Sequence, residues 1–181
     1  MGANIALLLT LSFALDKAYL SFLVADLRSR PLQKILAGIF SAVLLYLIFY
    51  AGNYVSRAIF PFAAGGIARV YSFRQNASTL RIILLMFFLI GPGEELFWRG
   101  SIQRHWQNRF GPMAGWLGAT ALYSLVHWGS GNVMLVLAAL ICGLFWGALF
   151  LRYRSPFLVA VSHTVWDVLI FVALPLESGP R

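Results

Sequence analysis

Residues 84–98 read LLMFFLIGPGEELFW, an apolar run in which a Gly-Pro-Gly sequence precedes two adjacent carboxylates, Glu94 and Glu95. A helix of about 20 apolar residues spans the hydrocarbon core of a membrane, and a charge at that depth costs roughly 2.5 to 3.5 kcal/mol unless it is paired or hydrated. The two carboxylates are therefore candidates for function. The interruption at 91–93 predicts that they begin a new helical segment, whose free N–H groups favour anions.

The composition of the whole chain indicates a membrane protein. Its 181 residues are 60% hydrophobic and 11% charged, and the mean hydropathy of +0.79 is far from the soluble average. Only helices and closed barrels satisfy their backbone polar groups in lipid, and the apolar runs lack the alternation of barrel strands. The sequence therefore predicts an all-α fold, a multi-pass transmembrane helical bundle.

The net charge of +8 and the single cysteine exclude other classes. The arginines are dispersed among short connectors, a pattern typical of orientation signals and of contact with anionic membrane lipids, so we expect no nucleic-acid partner. Because Cys142 is the only cysteine, an internal disulfide and a CxxC metal site are both excluded.

Six apolar runs predict about six spans. They are residues 5–25, 35–54, 80–98, 113–128, 133–151 and 156–174. We divide the chain into an N-terminal region of two spans and a connector (1–79), a core of four spans (80–174) and a short tail (175–181). The connector, residues 55–79, mixes arginines with aromatic residues and is expected to lie along the membrane interface as a short amphipathic helix.

The lysines and arginines predict the orientation of the chain. The connectors after spans 1, 3 and 5 carry more of them than the opposite side, so this side is predicted to face the cytoplasm and both termini to face outward. The first group consists of Arg28, Arg30, Lys34, Arg99, Arg104, Arg109, Arg152 and Arg154, and the second of Arg57, Arg69, Arg74, Arg81 and Arg181.

The spacing of Arg99 gives the two carboxylates different roles. Arg99 follows Glu95 by four residues, so both lie on one helical face within ion-pairing range, whereas Glu94 points about 100° away. Arg99 would hold Glu95 ionised and leave Glu94 free as a base or a metal ligand. The alternative is a buried ion pair that only fixes helix packing.

Two histidines also lie in apolar runs. His163 and Asp167 are four residues apart and face the same way, as expected of a ligand pair or of a histidine with an orienting carboxylate. Counting from the turn at Gly111, Glu95 lies 16 residues back and His127 lies 16 residues forward, which is about 24 Å along each of two antiparallel helices. We therefore expect these groups to meet at one level.

Three motifs on successive apolar runs carry a resemblance to a known family. They are Glu94-Glu95-x-x-x-Arg99, Tyr123-x-x-x-His127 and His163-x-x-x-Asp167. Together they resemble the EExxxR, FxxxH and Hxxx(N/D) pattern of the CAAX protease and bacteriocin-processing family of intramembrane metalloproteases, over about the last hundred residues. The chain departs from the pattern in having Tyr123 in place of Phe, and Asp167 where Asn is common.

The resemblance implies hydrolysis of a peptide bond by a water molecule that Glu94 and His127 activate, with His163 and Asp167 completing the site. The residues that the resemblance implies as catalytic are Glu94, Glu95, Arg99, His127, His163 and Asp167. Two mechanisms stay open. In one, His127, His163 and the carboxylate of Glu94 hold Zn²⁺, which activates the water. In the other no metal takes part, Glu94 is the general base, and His163 with Asp167 stabilises the oxyanion.

The expected partners are membrane lipids and a peptide or membrane-protein substrate, either prenylated or bearing a leader. The expected location is a bacterial plasma membrane. A non-enzymatic alternative is a bacteriocin-immunity or scaffold protein with the same helical core. A proton or ion transporter is a second alternative, since chains of Glu, His and Asp in membranes also relay ions.

Overall fold

The computed structural model describes residues 2–72 and 78–177, and every regular element within this part of the chain is a helix. This confirms the predicted all-α class. The helices are α1 (Gly2–Leu15), α2 (Tyr19–Arg28), α3 (Pro31–Ile59), α4 (Ala63–Tyr71), α5 (Thr79–Leu85), α6 (Gly91–Glu95), α7 (Arg104–Phe110), α8 (Pro112–Trp128), α9 (Val133–Tyr153) and α10 (Pro156–Val168). Arg74 and Arg181, which we counted for orientation, lie outside the described residues.

Three helices are individually long and apolar enough to cross a membrane. They are α3, α9 and the helix Pro156–Ala173, in which a π-helical turn, Leu169–Ala173, extends α10. A bent pair of helices within residues 7–28 would make a fourth span. The protein is therefore a helical bundle with several candidate spans, and the predicted number of six stays a prediction.

The first predicted span is not one straight helix. α1 and α2 meet at 105°, because the chain leaves the helix at Asp16, whose carboxylate accepts a hydrogen bond from the backbone N–H of Ala18. The same carboxylate forms an ion pair with Arg104. At the other end of α2, Asp26 accepts a 2.9 Å hydrogen bond from the backbone N–H of Phe157. α2 thus runs across one end of the bundle, from α7 to the start of α10.

The sequence analysis predicted that the Gly-Pro-Gly sequence interrupts the helix, and this prediction is wrong. Two π-helical segments, Met86–Ile90 and Leu96–Gln103, join α5, α6 and α7 into one continuous helical rod over residues 79–110. A proline inside an α-helix clashes with the carbonyl four residues earlier, and the wider π turn before Pro92 accommodates it without ending the helix. Glu94 and Glu95 therefore lie between two π turns, and the expected free helix terminus is absent.

The connectors that carry the larger group of basic residues, between α2 and α3, between α7 and α8, and between α9 and α10, lie at the end of the bundle that α2 crosses. Gly111, with φ +92°, turns the chain between α7 and α8 as predicted. Arg154, which ends α9, donates hydrogen bonds to the side chains of Gln107 and Asn108 on α7. α3 and α10 pack closely, since a Cβ on Gly38 would lie 2.7 Å from Val161. The predicted short helix in the connector is α4.

Candidate active site

Glu95 is the most buried carboxylate of the site. It is 0% exposed, and its Oε1 accepts hydrogen bonds from Nη1 of Arg99 at 2.8 Å and from Nδ1 of His163 at 2.7 Å. The predicted ion pair with Arg99 is confirmed. The other oxygen, Oε2, is buried without a hydrogen-bond partner among the described residues. A buried oxygen without a partner needs an explanation, and a catalytic role is one that fits this position.

His163 and Asp167 share one face of α10, as their spacing predicted. Nε2 of His163 lies 3.6 Å from Oδ2 of Asp167, which is too long for a hydrogen bond. This Oδ2 is also buried and without a partner among the described residues. His163 thus stands between two carboxylates on different helices, and its Nδ1–H is fixed on Glu95.

Glu94 points to a different helix from Glu95, in agreement with the predicted divergence. Its Oε2 accepts a 2.9 Å hydrogen bond from the hydroxyl of Tyr123 on α8. His127, one turn further along α8, donates from Nδ1 to the backbone oxygen of Tyr123 at 2.7 Å, which leaves its Nε2 as an acceptor. The rings of Tyr123 and His127 are 4.9 Å apart, centroid to centroid. His127 is half-buried, whereas Glu94 is buried.

The sequence analysis predicted that His127 lies at the level of Glu95, but in the structure α8 is displaced along the rod from that alignment. Tyr123 lies opposite Glu94. Counted along the chain from Gly111, Tyr123 is 12 residues forward and Glu94 is 17 residues back. The segment between Glu94 and Gly111 contains the π turns of Leu96–Gln103, which hold more residues per turn and rise less per residue than α turns. His127 therefore lies about one turn beyond the level that an ideal α-helix predicts, and among the described residues it makes no hydrogen bond to a carboxylate.

Aromatic residues that the sequence reasoning missed surround the charged cluster. The ring of Trp146 on α9 stacks on His163 at 3.8 Å and 21°, and its Nε1 donates to the hydroxyl of Ser162. The guanidinium of Arg99 lies 4.9 Å from the ring centroid of Tyr123 and 5.6 Å from that of Trp146. These contacts fix His163 and Arg99 in place. The signal available was the single tryptophan of span 5, since a buried indole N–H needs a partner.

Close packing brings the rod against α10. A Cβ at Gly91 would lie 2.5 Å from Oγ1 of Thr164 and 3.1 Å from its backbone nitrogen and Cα. Only glycine allows this approach, which places the two glutamates beside His163. The buried Tyr19 of α2 supports the rod from another side, because its hydroxyl donates to the backbone oxygen of Leu96.

The predicted zinc ligands do not converge. Nδ1 of His163 donates to Glu95, Nδ1 of His127 donates to the backbone oxygen of Tyr123, and Oε2 of Glu94 accepts from Tyr123. Each of these side chains keeps its other ring nitrogen or carboxylate oxygen, so the distances between them decide whether they can share an ion. In the part of the chain that the structure describes, no three His, Cys, Asp or Glu side chains lie close enough to hold one metal ion. This arrangement of donors does not fit a three-ligand zinc site.

Comparison with known proteins gives one family. The model of the family described as type II CAAX prenyl endopeptidase Rce1-like matches residues 76–169, slightly more than half of the chain. The matched region contains all six predicted site residues. No curated protein and no solved structure shows significant similarity to the chain.

Proposed function

The chain belongs to the Rce1-like family of type II CAAX prenyl endopeptidases, in agreement with the resemblance of its motifs, and on this premise we propose that it is an intramembrane endopeptidase. One observation carries the proposal. Three motifs from three separate helical segments meet around the buried pair Glu94 and Glu95. Burying ionisable groups in an apolar bundle is costly, so their assembly favours a chemical role over a purely structural one.

Glu94 is the general base of the proposed reaction. Its carboxylate accepts a proton from a water molecule whose oxygen attacks the carbonyl carbon of the peptide bond. The free Nε2 of His127 accepts the second hydrogen bond of this water and orients it. When the tetrahedral intermediate collapses, the protonated Glu94 returns the proton to the leaving amine, and the C–N bond breaks.

Glu95 and Arg99 position the rest of the site. Glu95 holds Nδ1–H of His163, so that Nε2 is the nitrogen that faces the reacting carbonyl. His163 with both ring nitrogens protonated donates from Nε2 to the oxyanion of the intermediate, and the carboxylate of Asp167, 3.6 Å from Nε2, stabilises this charged ring electrostatically. Arg99 offsets the charge of Glu95 in the apolar interior.

The geometry favours the metal-free form of this chemistry. In the described part of the chain, the three predicted zinc ligands do not lie close enough together to hold one ion. We therefore assign no step to zinc.

The proposed substrate is a membrane-associated peptide or protein, either prenylated or bearing a leader, and the proposed location is a bacterial plasma membrane. The exposed apolar side chains of the rod, such as Phe87 and Phe88, at 50% and 71% exposure, face the surroundings of the bundle. Such a surface suits a substrate that arrives from the lipid. It also accounts for membrane lipids as partners of the protein.

The proposal is tested with the full chain purified in detergent. Peptides ending in a prenylated cysteine motif, the same peptides without the prenyl group, and a leader-bearing peptide are incubated with the protein in H₂¹⁸O, and products are identified by mass spectrometry. We expect one product with a single ¹⁸O atom in its new carboxylate, which identifies hydrolysis by water. Intact peptides with a folded protein would instead favour the immunity or scaffold alternative.

A further inference from the structure

A cavity of about 360 Å³ opens at the end of the bundle where the basic connectors meet. It lies where the α2–α3 turn approaches the end of α9, and Leu158 of α10 contributes to its lining. Its cationic lining residues are Arg30, Lys34 and Arg152. The cavity is separate from the candidate active site, none of whose residues lines it.

Two of the three cations are free to bind an anion. Lys34 is paired with Asp26 at 2.5 Å. Arg30 and Arg152 are exposed, and neither has a carboxylate partner among the described residues. Since these two guanidiniums line one concave space with no neutralising carboxylate, the cavity attracts a group with concentrated negative charge.

An apolar stripe continues from the cavity along α3. Gln33 and Ala37 line the cavity, and helical spacing of three and four residues continues this face through Phe40, Leu44 and Leu47. These three side chains are 73%, 44% and 54% exposed. The stripe from Gln33 to Leu47 extends over 14 residues, about 21 Å, and α3 is one of the helices apolar enough to span a membrane.

We propose that this cavity binds the phosphate headgroup of an anionic membrane lipid, whose acyl chains lie along the α3 stripe. A guanidinium binds phosphate through parallel hydrogen bonds, and basic pockets between membrane helices are suited to anionic headgroups. The combination of a cationic cavity with an apolar stripe selects a ligand with both a phosphate and a hydrocarbon tail. Free phosphate would use the arginines alone.

The test is a binding titration of the full chain in a neutral detergent, in which the shift in melting temperature measures binding. The probes are short-chain phosphatidylglycerol, short-chain phosphatidylcholine and inorganic phosphate. We expect saturable stabilisation by phosphatidylglycerol, since a ligand that binds the folded state raises its stability, with much weaker effects of the other two. Equal stabilisation by phosphatidylcholine, or by inorganic phosphate at similar concentration, would overturn the lipid assignment.

Variants locate the site. Arg30→Gln with Arg152→Gln is expected to weaken phosphatidylglycerol binding about tenfold or more, whereas Arg30→Lys with Arg152→Lys retains part of it. The matched control is Arg28→Gln with Arg109→Gln, which removes two exposed charges from the same predicted side but outside the cavity. If the control weakens binding as much as the cavity variant does, the attraction is a general charge effect and the proposed site is wrong. If the glutamine variant unfolds, the lysine variant decides. Phosphatidylglycerol binding weaker than that of the control variant then supports the site, and binding equal to that of the control contradicts it.

Discussion

The hydroxyl of Tyr123 donates a 2.9 Å hydrogen bond to Oε2 of Glu94, and so joins the motif of α8 to the first glutamate of the rod. The family pattern has phenylalanine at the position of Tyr123, so this hydroxyl is an addition in this chain. A hydrogen bond to a charged acceptor contributes about 1.5 to 3 kcal/mol. Tyr123 therefore fixes the direction in which Glu94 presents its second oxygen.

Replacing this hydroxyl tests its role. Tyr123→Phe is expected to fold, because phenylalanine suits the site, and to lower kcat of peptide cleavage about tenfold through misorientation of Glu94. KM should stay unchanged, since the hydroxyl contacts the base and not the substrate. Tyr54→Phe, at a tyrosine that is 63% exposed, is the control. Equal kcat values in both variants would show that the hydrogen bond has no part in catalysis.

The buried ion pair of Arg99 with Glu95 is expected to contribute to the free energy of unfolding. Arg99→Gln leaves Glu95 buried without its countercharge and should lower the free energy of unfolding by about 3 to 5 kcal/mol. Adding Glu95→Gln to this variant should recover part of the loss, because no uncompensated charge then remains. Thermal unfolding in detergent measures both effects, with the exposed Arg109→Gln as the control. A double variant less stable than Arg99→Gln alone would contradict the explanation.

Close packing at Gly91 gives a third prediction. In Gly91→Ala the new methyl meets Thr164, including its backbone at 3.1 Å, so the rod must move away from α10. We expect a loss of stability of about 1 to 3 kcal/mol, as for overpacked cores, and a loss of activity as the glutamates move from His163. Gly65→Ala is the control, because a Cβ there has nothing within 4 Å. Similar behaviour of the two variants would exclude a positioning role for this contact.

Metal analysis decides between the two mechanisms. Because the three predicted ligands do not lie close enough together in the described part of the chain to hold one ion, we expect the purified protein to contain far less than one zinc ion per chain and to keep its activity in a chelator. Near-stoichiometric zinc that disappears in the variant His127→Ala with His163→Ala would instead support the zinc mechanism and identify its ligands. Elemental analysis of both proteins, prepared side by side, is the measurement.

The sequence predicted what helix geometry alone determines. The four-residue pairs Glu95 with Arg99 and His163 with Asp167 share their helix faces as expected, since 3.6 residues per turn fixes such neighbours whatever the tertiary structure. The turn at Gly111 was also predictable, because glycine readily adopts positive φ. The all-α class followed from the apolar runs.

Other features depend on contacts between distant segments. The π turns around Glu94 and Glu95 changed the level of α8 against the rod, so that Tyr123 and not His127 lies opposite Glu94. The buried indole of Trp146 indicated only that its N–H needs a partner, and no local pattern indicated that its ring stacks on His163. The path of α2 across the end of the bundle had no local signal either. The first span was predicted as one helix because apolar composition alone does not show how Asp16 is neutralised, and in the structure Arg104 neutralises it.

The most direct test of the central claim is the single-turnover rate of peptide cleavage by Glu94→Gln. Glutamine is isosteric and still accepts the hydrogen bond of Tyr123, so the variant should melt at the wild-type temperature, and Glu177→Gln at an exposed carboxylate is the control. Loss of a general base is expected to lower the rate by about 100- to 10,000-fold. A rate within a few-fold of wild type in the folded variant would contradict the assignment of Glu94 as the base.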